Sequence, residues 1–390
     1  MSIDRRNKPS LAFTFIELLF VVSFLGILIA LLLPAINSAR EATRRIRCVN
    51  RLRQISMGIA NYESAHARFP AGRLLPDWIH QGRVQHAYTN YNRVDQRAAQ
   101  GEWTGFRSVH IWILPYLESN KIYQMIDLER PSALRMSQAG QPYNINYDAY
   151  ATAENMFICP SDPYTVRIIS ENNYRYNFGG STPYGGAYST SRQASHDATV
   201  GGHSILGNGA FTAGKRGMSS RKILDGLSKT AFFSERTKGS GVKAATKMPT
   251  ASDIVTMPGR EDRPVSREAI FRRCKNYRPR SSRFNFTSAG RWLPGSDYSN
   301  GWPFAGYAGT MYNHVAPPNW TGQDCGNWSA IPDTPGEHAI VSARSHHSGT
   351  VNVSFGDAHV ASIDDTIDLD IWRAIGTRNG KEDRHLHQID

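Results

Sequence analysis

The sequence predicts an α+β protein: a long N-terminal helix packed on an antiparallel β-sheet body with long loops. Three observations predict it. From Leu18 to Ile36 the chain runs for 19 residues without a charge, the length of helix that spans a hydrocarbon core of roughly 30 Å. Beyond this run, apolar or small residues recur in steps of three and four, at Ile36, Ala39, Ala42, Ile46, Val49, Leu52, Ile55, Ile59 and Tyr62. That is the period of a helix with one packed face. Near the other end Val351-Asn352-Val353-Ser354-Phe355 alternates, Gly356-Asp357 turns, and His359–Ile363 returns, the pattern of a β-hairpin. The 33 glycines and 20 prolines favour a loop-rich, β-containing body over a helical bundle.

In chain order, a short basic leader with Arg5, Arg6 and Lys8 precedes an apolar run whose one charge is Glu17. A carboxylate at mid-depth in a membrane costs roughly 2.5–3.5 kcal/mol and normally has a partner or a function. Pro34 is tolerated inside such a helix, where it kinks it. Arg40, Arg44, Arg45, Arg47, Arg51 and Arg53 follow, off the apolar stripe, with Glu41 spaced to pair with Arg44 or Arg45. Phe69-Pro70-Ala71-Gly72 ends the helix near His66.

In the body, Ile111-Trp112-Ile113-Leu114 before Pro115 reads as a buried helix or strand, and Met156-Phe157-Ile158 before Cys159-Pro160 as a short strand. Asp225-Gly226 turns the chain into a strand at Thr230–Phe233. Residues 236–335 are basic and rich in loop formers, and read as surface loops or an insertion within the domain. Asp365–Ile375 reads as a terminal helix.

The stretch Ala12-Phe13-Thr14-Phe15-Ile16-Glu17-Leu18 resembles the processing site of type IV pilins and type II secretion pseudopilins. That resemblance implies a type IV pilin-like fold and cleavage between Ala12 and Phe13 by a prepilin peptidase, which methylates the new amine. It implies that Glu17 neutralises the Phe13 amine of a neighbouring subunit. Ala12 stands where the family nearly always has Gly. The organisation that follows is a leader over residues 1–12, a helix over 13–66 with a membrane span at about 13–36, and an extracytoplasmic body over 67–390.

Further segments extend the likeness: Asn50–Ile55, Asn61-Tyr62-Glu63, Phe69-Pro70, Leu114-Pro115-Tyr116-Leu117-Glu118, Cys159-Pro160-Ser161-Asp162 and Asp225-Gly226-Leu227-Ser228-Lys229-Thr230 with Glu235. His347 nine residues before Asp357, and Ile371-Trp372-Arg373-Ala374 with Gly376–Gly380, close the series. In this order they resemble the domain of unknown function 1559, a pseudopilin-like family abundant in planctomycete-type bacteria. Ala358 replaces the family's Gly at the hairpin turn. A positive φ is costly for Ala, so a different turn is expected.

The implied role is that of a structural or assembly subunit of a type IV pilus or type II secretion-like system. Its partners would be the peptidase, like subunits and an assembly platform. It would cross the inner (cytoplasmic) membrane once, N-terminus in the cytoplasm. Positive-charge counting alone places the arginine-rich side in the cytoplasm; the short leader and the resemblance place the body outside. An uncleaved signal anchor is the alternative reading, its body a binding module for DNA or an anionic envelope polymer.

The net charge of +12 is local: residues 192–291 carry +13 and residues 292–390 carry −7. Arg272, Arg273, Arg278, Arg280 and Arg283, interleaved with Phe271, Tyr277, Phe284 and Phe286, form a candidate polyanion-binding stretch. No compact nucleic-acid motif accompanies it, and a solvated loop is favoured. The four cysteines allow two disulfides in three pairings. The preferred pairing is Cys48–Cys159 with Cys274–Cys325, and four free buried thiols are the alternative.

His347, Asp357 and His359 are a candidate metal set, against a His347 that only hydrogen-bonds the turn. Asp364, Asp365, Asp368 and Asp370 would suit Ca2+, yet their spacing is not that of an EF-hand, and charges at a helix N-terminus are favoured. No resident cofactor is expected. The sequence holds no Gly-x-Ser-x-Gly, HExxH or phosphate-loop motif, and no enzyme activity is expected.

Overall fold

The computed structural model describes residues 14–75, 79–84, 107–129, 137–138, 141–142, 146–163, 171–182, 199–200, 203–204, 206–214, 216–239, 249–257, 266–277, 285–288, 301–307, 309–327 and 338–380. They fall into two compact units, one ending at Ile46 and the other beginning at Arg47. The fold is α+β and pilin-like, with a long apolar N-terminal helix and several sheets.

The helix runs Phe15–His66, 52 residues. Every large apolar side chain from Phe15 to Ile36 is exposed. The helix is long and apolar enough to cross a membrane. Pro34 removes one rung of the hydrogen-bond ladder, and the Ser38 hydroxyl donates to its carbonyl at 3.0 Å. Glu41 pairs with Arg44, at helical spacing.

The buried face is Cys48, Leu52, Ile55, Ser56, Gly58 and Ile59. The stripe expected from Ile36 onward is therefore buried only from Cys48: Ile46 is 61% exposed. Period identifies a face but not what covers it. A Cβ on Gly58 would stand 2.8 Å from Leu117 Cδ2, so glycine permits the close approach of the turn Leu114–Leu117.

The main sheet has five strands in the order Met311–Tyr312, Tyr174–Asn177, Ala231–Glu235, Thr350–Phe355 and Val360–Asp364. Its neighbours are antiparallel apart from the first pair, which is parallel. Tyr174, Tyr176, Phe211, Phe232 and Phe233 fill the core beneath it, joined by Leu52, Ile55 and Ile59 from the helix. Ile111–Leu114 is helical: a helix at Val109–Ile113 runs into a 3-10 turn at Leu114–Leu117.

Two local expectations are corrected. Met156–Ile158 is no strand; Glu154–Phe157 is a 3-10 turn. A run of three apolar residues is too short to fix a period. The terminal helix begins at Leu369, where the Asp368 carboxylate caps it through Asp370 N and Ile371 N. Asp364 ends the hairpin instead.

Residues 236–335 are more than loops. They supply strands Asp253–Met257, Asn285–Ser288 and Asp324–Asn327, which with Ala339–Ile340 form a second, four-stranded sheet. The helix Arg267–Asn276, capped by Ser266, packs Ile270 and Cys274 on it. Asp253–Met257 pairs in parallel with Asp324–Asn327, a long-range pairing that no local pattern announces.

The hairpin turn keeps a positive φ: Ala358 sits at +69°. For an L-residue this conformation costs roughly 1–2 kcal/mol. Ala358→Gly is expected to stabilise the chain by about 0.5–1 kcal/mol, read as a higher urea midpoint; a lower one contradicts the strain.

Two histidines are held neutral in the core. His110 Nε2 lies 2.8 Å from the Tyr174 carbonyl, among Phe157, Tyr176 and Phe233. His314 stacks on Trp372 at 3.9 Å and bonds its carbonyl. Burial lowers both from the ordinary 6.5 to about 3. Between those values the unfolded chain binds more protons than the folded one, so stability is present above pH 6.5 and is lost as pH falls toward 3. For two such groups the slope reaches about 2.7 kcal/mol per pH unit. Urea midpoints at pH 7 and pH 5 should differ accordingly; equal midpoints contradict this assignment.

Candidate functional site

The head of the apolar helix is the first candidate. Ala12 and Phe13 lie outside the described residues. Thr14 and Glu17 form a reciprocal cap. The Glu17 carboxylate accepts from Thr14 N at 2.9 Å and from its hydroxyl at 2.8 Å, and Glu17 N donates back to Thr14 Oγ1 at 3.3 Å. This is a capping box, readable from Thr-x-x-Glu. Glu17 thus helps Thr14 cap the helix that starts at Phe15, and its exposed charge stands at the mouth of the charge-free segment.

The second candidate lies where the helix joins the body's core. Cys48 is bonded to Cys159, 111 residues away. His347, also buried, places Nε2 3.8 Å from Cys159 Sγ and 3.5 Å from Glu235 Oε1. Glu235 is held from the next strand: Asn352 N donates to Oε2 and Asn352 Nδ2 to Oε1, both at 3.0 Å. Cys159 N donates to Asn173 Oδ1 at 2.9 Å. The other pair, Cys274–Cys325, joins the helix Arg267–Asn276 to the second sheet.

The proposed metal set does not assemble. His347 and Asp357 lie at opposite ends of the strand Thr350–Phe355, about 20 Å apart at 3.3 Å per residue. Asp357 bonds His359 instead, Oδ1 to Nδ1 at 2.5 Å, and His359 stacks on Phe355. In the acidic run, Asp364 accepts from Thr366 N, and Asp368 caps the terminal helix.

Arg272 and Arg273 are exposed on the helix Arg267–Asn276, whereas Arg278, Arg280 and Arg283 lie outside the described residues. Phe271 and Tyr277 pack on the second core, Phe271 5.4 Å from Trp320.

A buried charge network escaped the sequence reading. Asp324 accepts from Arg236 Nη2 at 2.9 Å, Ser342 N at 3.0 Å and Trp320 Nε1 at 2.8 Å, with Arg344 at 3.5 Å. Burial raises Asp324, but Arg344, Arg236 and these hydrogen bonds outweigh it, so the carboxyl sits below its ordinary value. Burial lowers Arg236 to about 10, still charged at neutral pH. The network joins the end of one sheet to the other, a structural task.

The sequence profile of a family described as "Protein of unknown function (DUF1559)" matches residues 37–370. No curated protein matches the chain. No solved structure matches it either.

Proposed function

The chain belongs to the DUF1559 family, and we propose that it is a membrane-anchored, pseudopilin-like subunit of a type IV pilus or type II secretion-like assembly. One observation carries the reading: a single helix has an apolar, outward-facing first half headed by Glu17 and a second half built into the core of a body. A simple anchor needs only the first half. A helix that is both span and core element lets lateral packing in the membrane order the bodies outside it.

Glu17 supplies the register in this reading. In hydrocarbon a carboxylate needs a cation, and the amine exposed by cleavage at Phe13 of a neighbouring subunit is one. The partners are then a prepilin peptidase, like subunits and an assembly platform, and the body faces away from the cytoplasm. Co-expression with a prepilin peptidase tests the processing step. Loss of Met1–Ala12 is expected; an uncut chain beside an active peptidase opposes it.

A further inference from the structure

The disulfide between Cys48 and Cys159 has company that a structural disulfide does not need. The sulfurs, a Glu235 oxygen and a His347 ring nitrogen all lie within 4.8 Å of one another, and all four residues are buried. Among the described residues this is the one group of its kind, and the Cys274–Cys325 pair has no such neighbours. Tetrahedral zinc, with Zn–N near 2.0 Å and Zn–S near 2.3 Å, sets its ligands roughly 3.3–3.8 Å apart. His347 Nε2 already stands 3.5 Å from Glu235 and 3.8 Å from Cys159 Sγ. Asn352 grips the Glu235 carboxylate from behind, the kind of outer support that ligating carboxylates have.

We propose that, when this disulfide is reduced, Cys48, Cys159, His347 and Glu235 form a four-coordinate site for a zinc-like divalent cation. The exchange balances. A dithiol reductant gives two electrons and two protons, becomes a disulfide itself, and leaves Cys48 and Cys159 as thiols. The cation then displaces both thiol protons and adds the neutral His347 nitrogen and the ionised Glu235 carboxylate. Two thiolates, one carboxylate and a divalent cation leave the site at a net charge of −1. The consequence is mechanical. Oxidised, the site ties the helix at Cys48 to the body at Cys159; metal-loaded, it would also tie both to the main sheet through Glu235.

The test uses the full chain in detergent, reduced with a phosphine and titrated with Co2+. One cobalt per chain is expected, with a thiolate-to-cobalt charge-transfer band and the visible bands of tetrahedral cobalt. His347→Ala and Glu235→Gln should each weaken binding at least about tenfold. The double variant Cys274→Ser, Cys325→Ser should bind as the parent does. Should reduction unfold the chain, Zn2+ is expected to restore its circular dichroism and to raise its melting temperature in the parent but not in His347→Ala. Absence of the thiolate–cobalt band in the folded reduced chain overturns the proposal. So does a band unchanged by His347→Ala, or a reduced chain that stays unfolded with Zn2+ present.

Discussion

Glu17→Gln is expected to abolish subunit assembly while leaving the chain folded and in the membrane. The amide oxygen of Gln can still accept from Thr14, so the capping box that starts the helix survives. What disappears is the charge. If Glu17 neutralises the amine of a neighbouring Phe13 in an apolar setting, removing one partner leaves the other uncompensated, at roughly 3–5 kcal/mol per contact. A polymer repeats that loss at every subunit. Glu17→Ala would remove cap and charge together, and the two roles would be confounded. The readout is the yield of cross-linked oligomers or filaments from membranes carrying equal amounts of each protein. Undiminished assembly in Glu17→Gln would reduce Glu17 to a helix cap.

Cys48→Ser is expected to cost about 4–5 kcal/mol. The bond to Cys159 closes a loop with a sequence separation of 111, and the chain-entropy relation assigns loops of that length close to 5 kcal/mol. Cys274→Ser, at a separation of 51, should cost about 4 kcal/mol. The two should differ in what they loosen. Cys48 sits among Leu52, Ile55 and Phe157 in the main core, whereas Cys274 packs with Val255, Ile270 and Ile340 under the second sheet. Urea unfolding of the detergent-solubilised chain, with hydrogen exchange at both cores, reads cost and location. A cost below about 1 kcal/mol for Cys48→Ser would mean that packing alone holds the helix.

What could be read from the sequence was what local pattern encodes. The helix end near His66 follows from Phe69-Pro70, and the hairpin follows from the alternation at Val351–Phe355 around Gly356-Asp357. Glu17's role as a cap was equally legible in Thr14-x-x-Glu17, but the longer apolar pattern drew the reading toward membrane and assembly. The second sheet was not legible, since Asp253–Met257 is completed in parallel by a strand from a distant stretch rich in Gly, Asn and Trp. Nor was the group around Cys159. Glu235 and His347 belong to segments more than a hundred residues apart, and only the placement of the main-sheet strands brings them to the disulfide. Ala358 marks the opposite case. The cost of a positive φ for Ala led to the expectation of a different turn, yet the turn keeps that φ.

The central claim is that this chain is a processed, assembling subunit and not a tethered binding domain. Mass spectrometry of the N-terminus of the protein purified from its own cells tests it most directly. The account predicts a mature chain that begins with N-methylated Phe13. A chain that still begins at Met1 or Ser2, in cells that hold the peptidase, would contradict it and leave a signal-anchored envelope protein.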